Sequence, residues 1–195
     1  MSPRSSSPGH RQANQLRIIG GRWRGRRLGF SSVPGLRPTL DRVRETLFNW
    51  LGQDLAGAKT LDLFAGSGAL TLEALSRGAV LGVAVDHHAA VVRKLVANAA
   101  ALGTTALETH CSDAQSFVVR ETRAFDVIFL DPPFGNADWD ALIPAVAARL
   151  APSGMLYVEA PAPIEAPPGM EVWRGDKAGR VHYHLLRRAD DVRPA

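Results

Sequence analysis

Four consecutive residues, Asp131-Pro132-Pro133-Phe134, directly follow the apolar run Phe125-Asp126-Val127-Ile128-Phe129-Leu130. An acid, two prolines and an aromatic ring at the end of a buried strand suit the capture of a planar group that bears an NH2. The prolines fix the backbone and donate no hydrogen bond, so the carbonyls of Asp131 and Pro132 stay available as acceptors beside the carboxylate. Phe134 supplies a stacking surface. The bland alternative is a rigid proline turn that only ends a strand.

A second constellation lies upstream. Leu61-Asp62-Leu63-Phe64 reads as a short buried strand, Gly66-Ser67-Gly68 follows, and from Ala69 onward Leu70, Ala74 and Leu75 recur at helical spacing until Arg77-Gly78 stops the helix. Two glycines between a strand and a helix let the backbone pass close to a ligand while the free helix amides point at it, the arrangement of a nucleotide cradle. A dinucleotide loop places a third glycine where Thr71 stands, and a carboxylate at Asp62 repels a pyrophosphate but can hold an ammonium group. Asp86 ends the next strand, 20 residues after Gly66, where nucleotide folds place the acid that accepts the ribose hydroxyls. Asp113 follows a third strand. It is either an acceptor for an adenine amino group or the N-cap of a helix from Ala114 to Val119.

All these carboxylates fall at the C-terminal ends of strands, the edge at which open α/β sheets bind ligands. The elements that must position them alternate strand with helix. Val80–Val85 and Phe125–Leu130 are buried strands, Ala106–His110 is a shorter strand and Met155–Glu159 a further one, with helices at Ala89–Leu102 and Trp139–Leu150. Beyond the proline-rich stretch 160–169, Glu171–Arg174 and Val181–Leu186 form an antiparallel terminal pair. His182 and His184 share a strand face as wet polar residues, and His87 and His88 follow Asp86. No metal site is expected.

The charge is concentrated at one end. Ten arginines lie between Met1 and Arg44 against the single acid Asp41. Residues 1–15 form a disordered basic tail, and residues 16–38 an arginine-rich hairpin arm, with Gly20-Gly21 as its turn and Arg22, Trp23, Arg24, Arg26 and Arg27 suited to RNA phosphates and stacked bases; the bland alternative is a solvated charged hairpin with Trp23 packed on the main domain. Thr39 caps a helix whose apolar stripe is Leu40, Val43, Leu47, Trp50 and Leu51, leaving Arg42 and Arg44 off the stripe. Arg37 and Arg42 extend the basic surface. Residues 39–188 make one domain and 189–195 a terminal tail.

With 46% hydrophobic residues the chain can bury one sizeable core, and no apolar run reaches the roughly 18 residues of a membrane helix. One cysteine, Cys111, excludes an internal disulfide and a cysteine-based zinc site. A cytoplasmic monomer is expected. From these residues alone, a nucleotide-dependent enzyme, a nicotinamide oxidoreductase and a non-catalytic RNA-binding protein remain in competition.

Leu61-Asp62-Leu63-Phe64-Ala65-Gly66-Ser67-Gly68 resembles motif I of S-adenosylmethionine-dependent methyltransferases, and Asp131-Pro132-Pro133-Phe134 resembles the D/N-P-P-Y/F signature of amino-methyltransferases. Arg17-Ile18-Ile19-Gly20-Gly21, Arg37-Pro38-Thr39 with Asp41-Arg42-Val43-Arg44-Glu45, Glu73-Ala74-Leu75-Ser76-Arg77-Gly78, and Lys177 with Gly179, Val181 and Tyr183 together resemble the bacterial 16S rRNA guanine-N2 methyltransferases of the small ribosomal subunit. The resemblance implies a three-layer Rossmann-like α/β fold with a seven-stranded sheet of order 3-2-1-4-5-7-6, strand 7 antiparallel. It implies S-adenosylmethionine as cofactor, with Asp62 for the ammonium, Gly66 and Gly68 for close backbone approach, Asp86 for the ribose and Asp113 for the adenine. Phe64, Ser67 and Ala114 complete that site. Asp131, Pro132, Pro133 and Phe134 would hold the target guanine, and Lys177 and Arg180 would join the arginines on 16S rRNA, within an assembling or assembled subunit. Two residues depart from the family pattern: Asp86 replaces a usual Glu, and Thr71 a frequent Gly. A DNA adenine or cytosine amino-methyltransferase shares the DPPF element and stays open as an alternative.

Overall fold

Parallel strands with helices on both faces must be apolar on both sides, and the short continuous runs of this chain meet that demand. In the computed structural model, which describes residues 14–31, 33, 40–133 and 139–190, they form one seven-stranded sheet. The chain runs β1 (Gln15–Arg17), β2 (Arg27–Gly29), α1 (Asp41–Leu51), β3 (Lys59–Asp62), α2 (Ala69–Ser76), β4 (Leu81–Asp86) and α3 (Ala89–Leu102). It continues through β5 (Leu107–Cys111), α4 (Ala114–Arg120), β6 (Phe125–Leu130), α5 (Trp139–Ala147), β7 (Leu150–Ala160), β8 (Met170–Ala178) and β9 (Val181–Arg188).

The sheet order is β5-β4-β3-β6-β7-β9-β8, which, counted within this sheet, is the expected 3-2-1-4-5-7-6. β9 alone runs against its neighbours β7 and β8. Helices α1 and α2 pack with Phe129, Tyr157 and Leu185 on one face, and α4 and α5 with Leu63, Ile128, Val158 and Leu186 on the other. No described helix is long and apolar enough to cross a membrane.

The N-terminal segment packs against the rest of the domain. β1 and β2 pair antiparallel, Leu16 opposite Leu28, but a 3-10 turn at Gly21–Trp23 links them. Gly20-Gly21 lies in this connection, Gly20 at the N-cap and Gly21 opening the turn, and is also a point of close approach to α2. A Cβ on Gly20 would meet the Arg77 guanidinium at 2.3 Å, and one on Gly21, whose φ is +70°, would meet the Ser76 carbonyl at 1.9 Å. Leu16, Ile18, Trp23 and Leu28 are buried in the same core as α1 and α2.

That docking explains why α2 is buried along its whole length and not on one face only. Its polar residues are therefore all paired inward. Glu73, with no exposed surface, accepts from the Ile19 amide (2.9 Å) and the Gly20 amide (2.7 Å) and forms ion pairs with Arg77 (2.8 Å) and Arg44 (3.5 Å). Ser76 accepts from the Trp23 amide and donates to the Gly20 carbonyl.

Arg44 corrects the surface role expected for it. It is fully buried, held by Asp41 (2.5 Å), by Glu73 and by the Arg17 carbonyl (3.0 Å), because α1 packs through Arg44 and Phe48 as well as Val43 and Leu47. Leu40, expected in the apolar stripe, is exposed and occupies the N-cap position without a side-chain cap; Thr39 lies outside the described residues. His184 is likewise buried, not wet. Burial holds its imidazole below the usual histidine range, and Nδ1 has no hydrogen-bond partner.

Candidate functional site

β3 and β6 are neighbours, with Asp62 in register with Phe129. The glycine loop after β3 and the Asp-Pro-Pro turn after β6 therefore emerge side by side at the C-terminal edge of the sheet. Asp86 ends β4 on the other side of β3, in register with Cys111 at the end of β5. Sheet order, not sequence distance, brings the candidate residues together.

Asp62 has a strongly perturbed carboxyl. It is almost completely buried, and burial pushes its pKa up to about 7, partly opposed by the hydrogen bond that Thr71 Oγ1 donates to Oδ2 at 2.8 Å. Oδ1 has no partner. A buried carboxylate with one unsatisfied oxygen is unfavourable by itself and is matched to a cationic donor such as an ammonium. Thr71, read as a departure from the family pattern, is what orients this carboxylate; its Cγ2 lies where a Cβ on Gly82 would intrude at 2.8 Å.

The cradle is shaped by its neighbours. Gly68 stands at the N-cap of α2 with φ +80°, and a Cβ there would lie 2.4 Å from Leu95 Cδ2. Gly66 donates its amide to Asp86 Oδ2 at 3.0 Å, while Asp86 Oδ1 accepts from the His88 amide at 2.8 Å. Asp86 thus ties the loop to the end of β4. Ser67 and Ala114 are buried and Phe64 is half-buried around the same edge. The orphaned Asp62 oxygen, the glycine loop and the Asp86 carboxylate are the donor set that an amino-acid-bearing nucleoside fits.

Asp113 caps α4, its Oδ1 accepting from the Ser116 amide at 2.8 Å, and that amide holds its carboxyl below the usual range. The capping role is realised. Asp131 is half-buried, Pro132 buried and Pro133 exposed; Phe134 lies outside the described residues.

Asp86, His87 and His88 bring a carboxylate oxygen and two imidazole nitrogens within 4.8 Å, the metal-like grouping present among the described residues. Asp86 is already engaged there by two backbone amides. Two open depressions of about 410 and 540 Å3 flank α4, the first lined by His110, Cys111 and Phe117, the second by Asp113, Ser116 and Val119. Neither is lined by Asp62 or Asp131.

The basic residues divide. Arg22, Arg24, Arg26, Arg27, Arg42, Lys177 and Arg180 are exposed, and Arg37 lies outside the described residues. Trp23 corrects the expectation of a base-stacking ring. It is buried in the core with Arg22 lying 4.2 Å above its ring, because Leu16, Ile18 and Leu28 fold over α2 and take the indole with them.

Sequence reasoning missed the Arg44–Glu73–Arg77 cluster and the role of Thr71. A glutamate inside an otherwise apolar helix, followed four residues later by an arginine, was the available signal.

A family model described as Conserved hypothetical protein 95 matches residues 16–187. The chain is 41% identical over 186 residues to the Ribosomal RNA small subunit methyltransferase D of Escherichia coli K12, covering 93% of this chain and 94% of that protein. It is 36% identical to the protein of the same name from Haemophilus influenzae, covering 89% and 94%. Among solved structures, the Escherichia coli methyltransferase yhhF superposes with a TM-score of 0.81 at 42% identity, covering 90% of this chain and 98% of that one. The Haemophilus influenzae methylase HI0767 gives a TM-score of 0.77 at 34% identity, covering 90% and 99%. By the extent of these matches and by the sheet order they share, the chain belongs to the family described as Conserved hypothetical protein 95 and is a methyltransferase of that family.

Proposed function

We propose that the chain methylates the exocyclic N2 amino group of a guanine in 16S rRNA, using S-adenosylmethionine, and acts as a monomer on the small ribosomal subunit in the cytoplasm. The observation that carries the reading is the adjacency of β3 and β6. It supports a site for a charged amino-acid nucleoside, built on Asp62, beside an acceptor for an NH2 group, built on Asp131. The bound cofactor supplies an electrophilic methyl group.

Asp62 holds the ammonium end, with Thr71 fixing the carboxylate's direction. Gly66 and Gly68 allow close backbone approach, Asp86 accepts from the ribose, and Asp113 accepts from the adenine with what its cap leaves over. Asp131 and the Pro132 carbonyl accept the two hydrogens of the guanine amino group. An amino nitrogen conjugated to the ring is a poor nucleophile, and two acceptors placed out of the ring plane favour a pyramidal nitrogen with a localised lone pair. The nitrogen becomes strongly acidic only as the methyl arrives, so the Asp131 carboxylate can take the proton then or pass it to water. Arg22, Arg24, Arg26, Arg27, Arg42, Lys177 and Arg180 contact phosphates.

The test is to incubate the protein with radiolabelled S-adenosylmethionine and small subunits from a strain that lacks the enzyme, then digest the RNA and identify the labelled nucleoside. N2-methylguanosine at one position of 16S rRNA is expected. Label in another nucleoside, or none in RNA, contradicts the assignment.

A further inference from the structure

β7 brings one more carboxylate to the edge where Asp131 stands. Leu130 pairs with Val158, so the residues that follow on these two parallel strands, Asp131 and Glu159, lie side by side. Strand alternation places Phe129 and, across from it, Tyr157 and Glu159 on one sheet face, and Asp62, in register with Phe129, shares that face. Glu159 is 5% exposed. The Tyr157 hydroxyl, itself buried, donates to its Oε1 at 2.8 Å, and among the described residues no cation forms an ion pair with it. Burial pushes the Glu159 carboxyl above the usual range against the pull of that hydrogen bond, and the Asp131 charge is near enough to help raise the Tyr157 phenol. A buried carboxylate beside a reacting edge, held by a neutral donor, is costly as structure and is therefore a candidate for function.

We propose that Glu159 reads the target base: its carboxylate accepts the guanine N1–H while Asp131 accepts the neighbouring amino group. The inference rests on guanine being the substrate. A carboxylate only accepts, and guanine alone among the RNA bases offers adjacent ring N–H and amino donors on that edge. A purine that carries the amino group but a bare N1, such as 2,6-diaminopurine, sets a lone pair against the carboxylate. The N1–H stays on the ring. Its hydrogen bond to an anion enriches the ring in electron density and so supports the N2 lone pair that attacks.

The experiment uses small subunits rebuilt with 16S rRNA that carries either guanine or 2,6-diaminopurine at the position mapped above. Methylation rates are compared for the wild type and Glu159→Gln, with cofactor affinity as the check on folding. The wild type should favour guanine by roughly 10- to 100-fold, the discrimination expected of one well-placed pair of base contacts. Glu159→Gln can donate to a bare N1, so its preference should shift toward 2,6-diaminopurine by a similar factor while cofactor affinity holds. Equal wild-type rates on both bases, or a Glu159→Gln enzyme slowed equally on both, would overturn the role of Glu159 and leave the substrate reading intact. A wild type that labels neither rebuilt subunit would overturn the guanine reading and this assignment with it.

Discussion

Thr71 Oγ1 stands 2.8 Å from Asp62 Oδ2, and both side chains are buried. The pair sets the state of the carboxyl proposed to hold the ammonium. Asp62 titrates near 7 in the folded chain against about 4 when unfolded, so the native state binds the proton more tightly. Stability contributed by this group is therefore complete at low pH and is lost as pH rises between about 4 and 7. Denaturant midpoints at pH 5 and pH 8 should differ less in Asp62→Asn than in the wild type. An unchanged pH dependence contradicts the raised titration.

Affinity for S-adenosylmethionine should move the other way, rising as pH increases through 7 because the ionised carboxyl attracts the ammonium. Thr71→Val removes a donor to that ion and should weaken binding at neutral pH by roughly 1.5 to 3 kcal/mol. Calorimetry that finds Thr71→Val equal to wild type would remove Thr71 from the site.

Much of the fold was legible because the central strands β3, β4 and β6 are buried on both faces and helices such as α1 and α3 on one. Each period stood out, and the carboxylates at strand ends marked the ligand edge. The partners of buried charges were not legible. Arg44 looked like a surface residue because Glu73, 29 residues away, is joined to it only by the fold. Gly20-Gly21 read as a turn and nothing more, because the sequence does not show that α2 passes within contact of it. Trp23 looked available for stacking for the same reason.

Glu73→Gln tests that docking. Removing the charge leaves Arg44 and Arg77 buried and underpaired, which should cost about 3 kcal/mol of stability and speed hydrogen exchange at the Ile19 and Gly20 amides. Wild-type stability and exchange would show the cluster to be energetically idle.

Replacing Arg22, Arg24, Arg26 and Arg27 together by Gln should weaken RNA binding and flatten its salt dependence, since fewer counterions are released. Cofactor affinity should hold. RNA binding with the wild-type salt slope would make these arginines a solvated surface.

Asp86→Ala should weaken cofactor binding by roughly 1.5 to 3 kcal/mol, with added loss from freeing the Gly66 amide that Asp86 now holds. Asp86→Asn keeps one acceptor for that amide and should fall between the two. Unchanged affinity in a folded Asp86→Ala protein would sink the ribose role.

The most direct test of the account is single-turnover methylation by Asp131→Ala on small subunits, with cofactor affinity measured in parallel. An acceptor that grips the amino group most strongly in the transition state lowers the rate of the chemical step and leaves cofactor binding alone. A loss of roughly 100-fold or more is expected, with Asp131→Asn retaining more activity than Ala because it keeps a carbonyl acceptor. A folded Asp131→Ala enzyme that methylates at the wild-type rate would contradict the account and reduce Asp131-Pro132-Pro133 to a rigid turn.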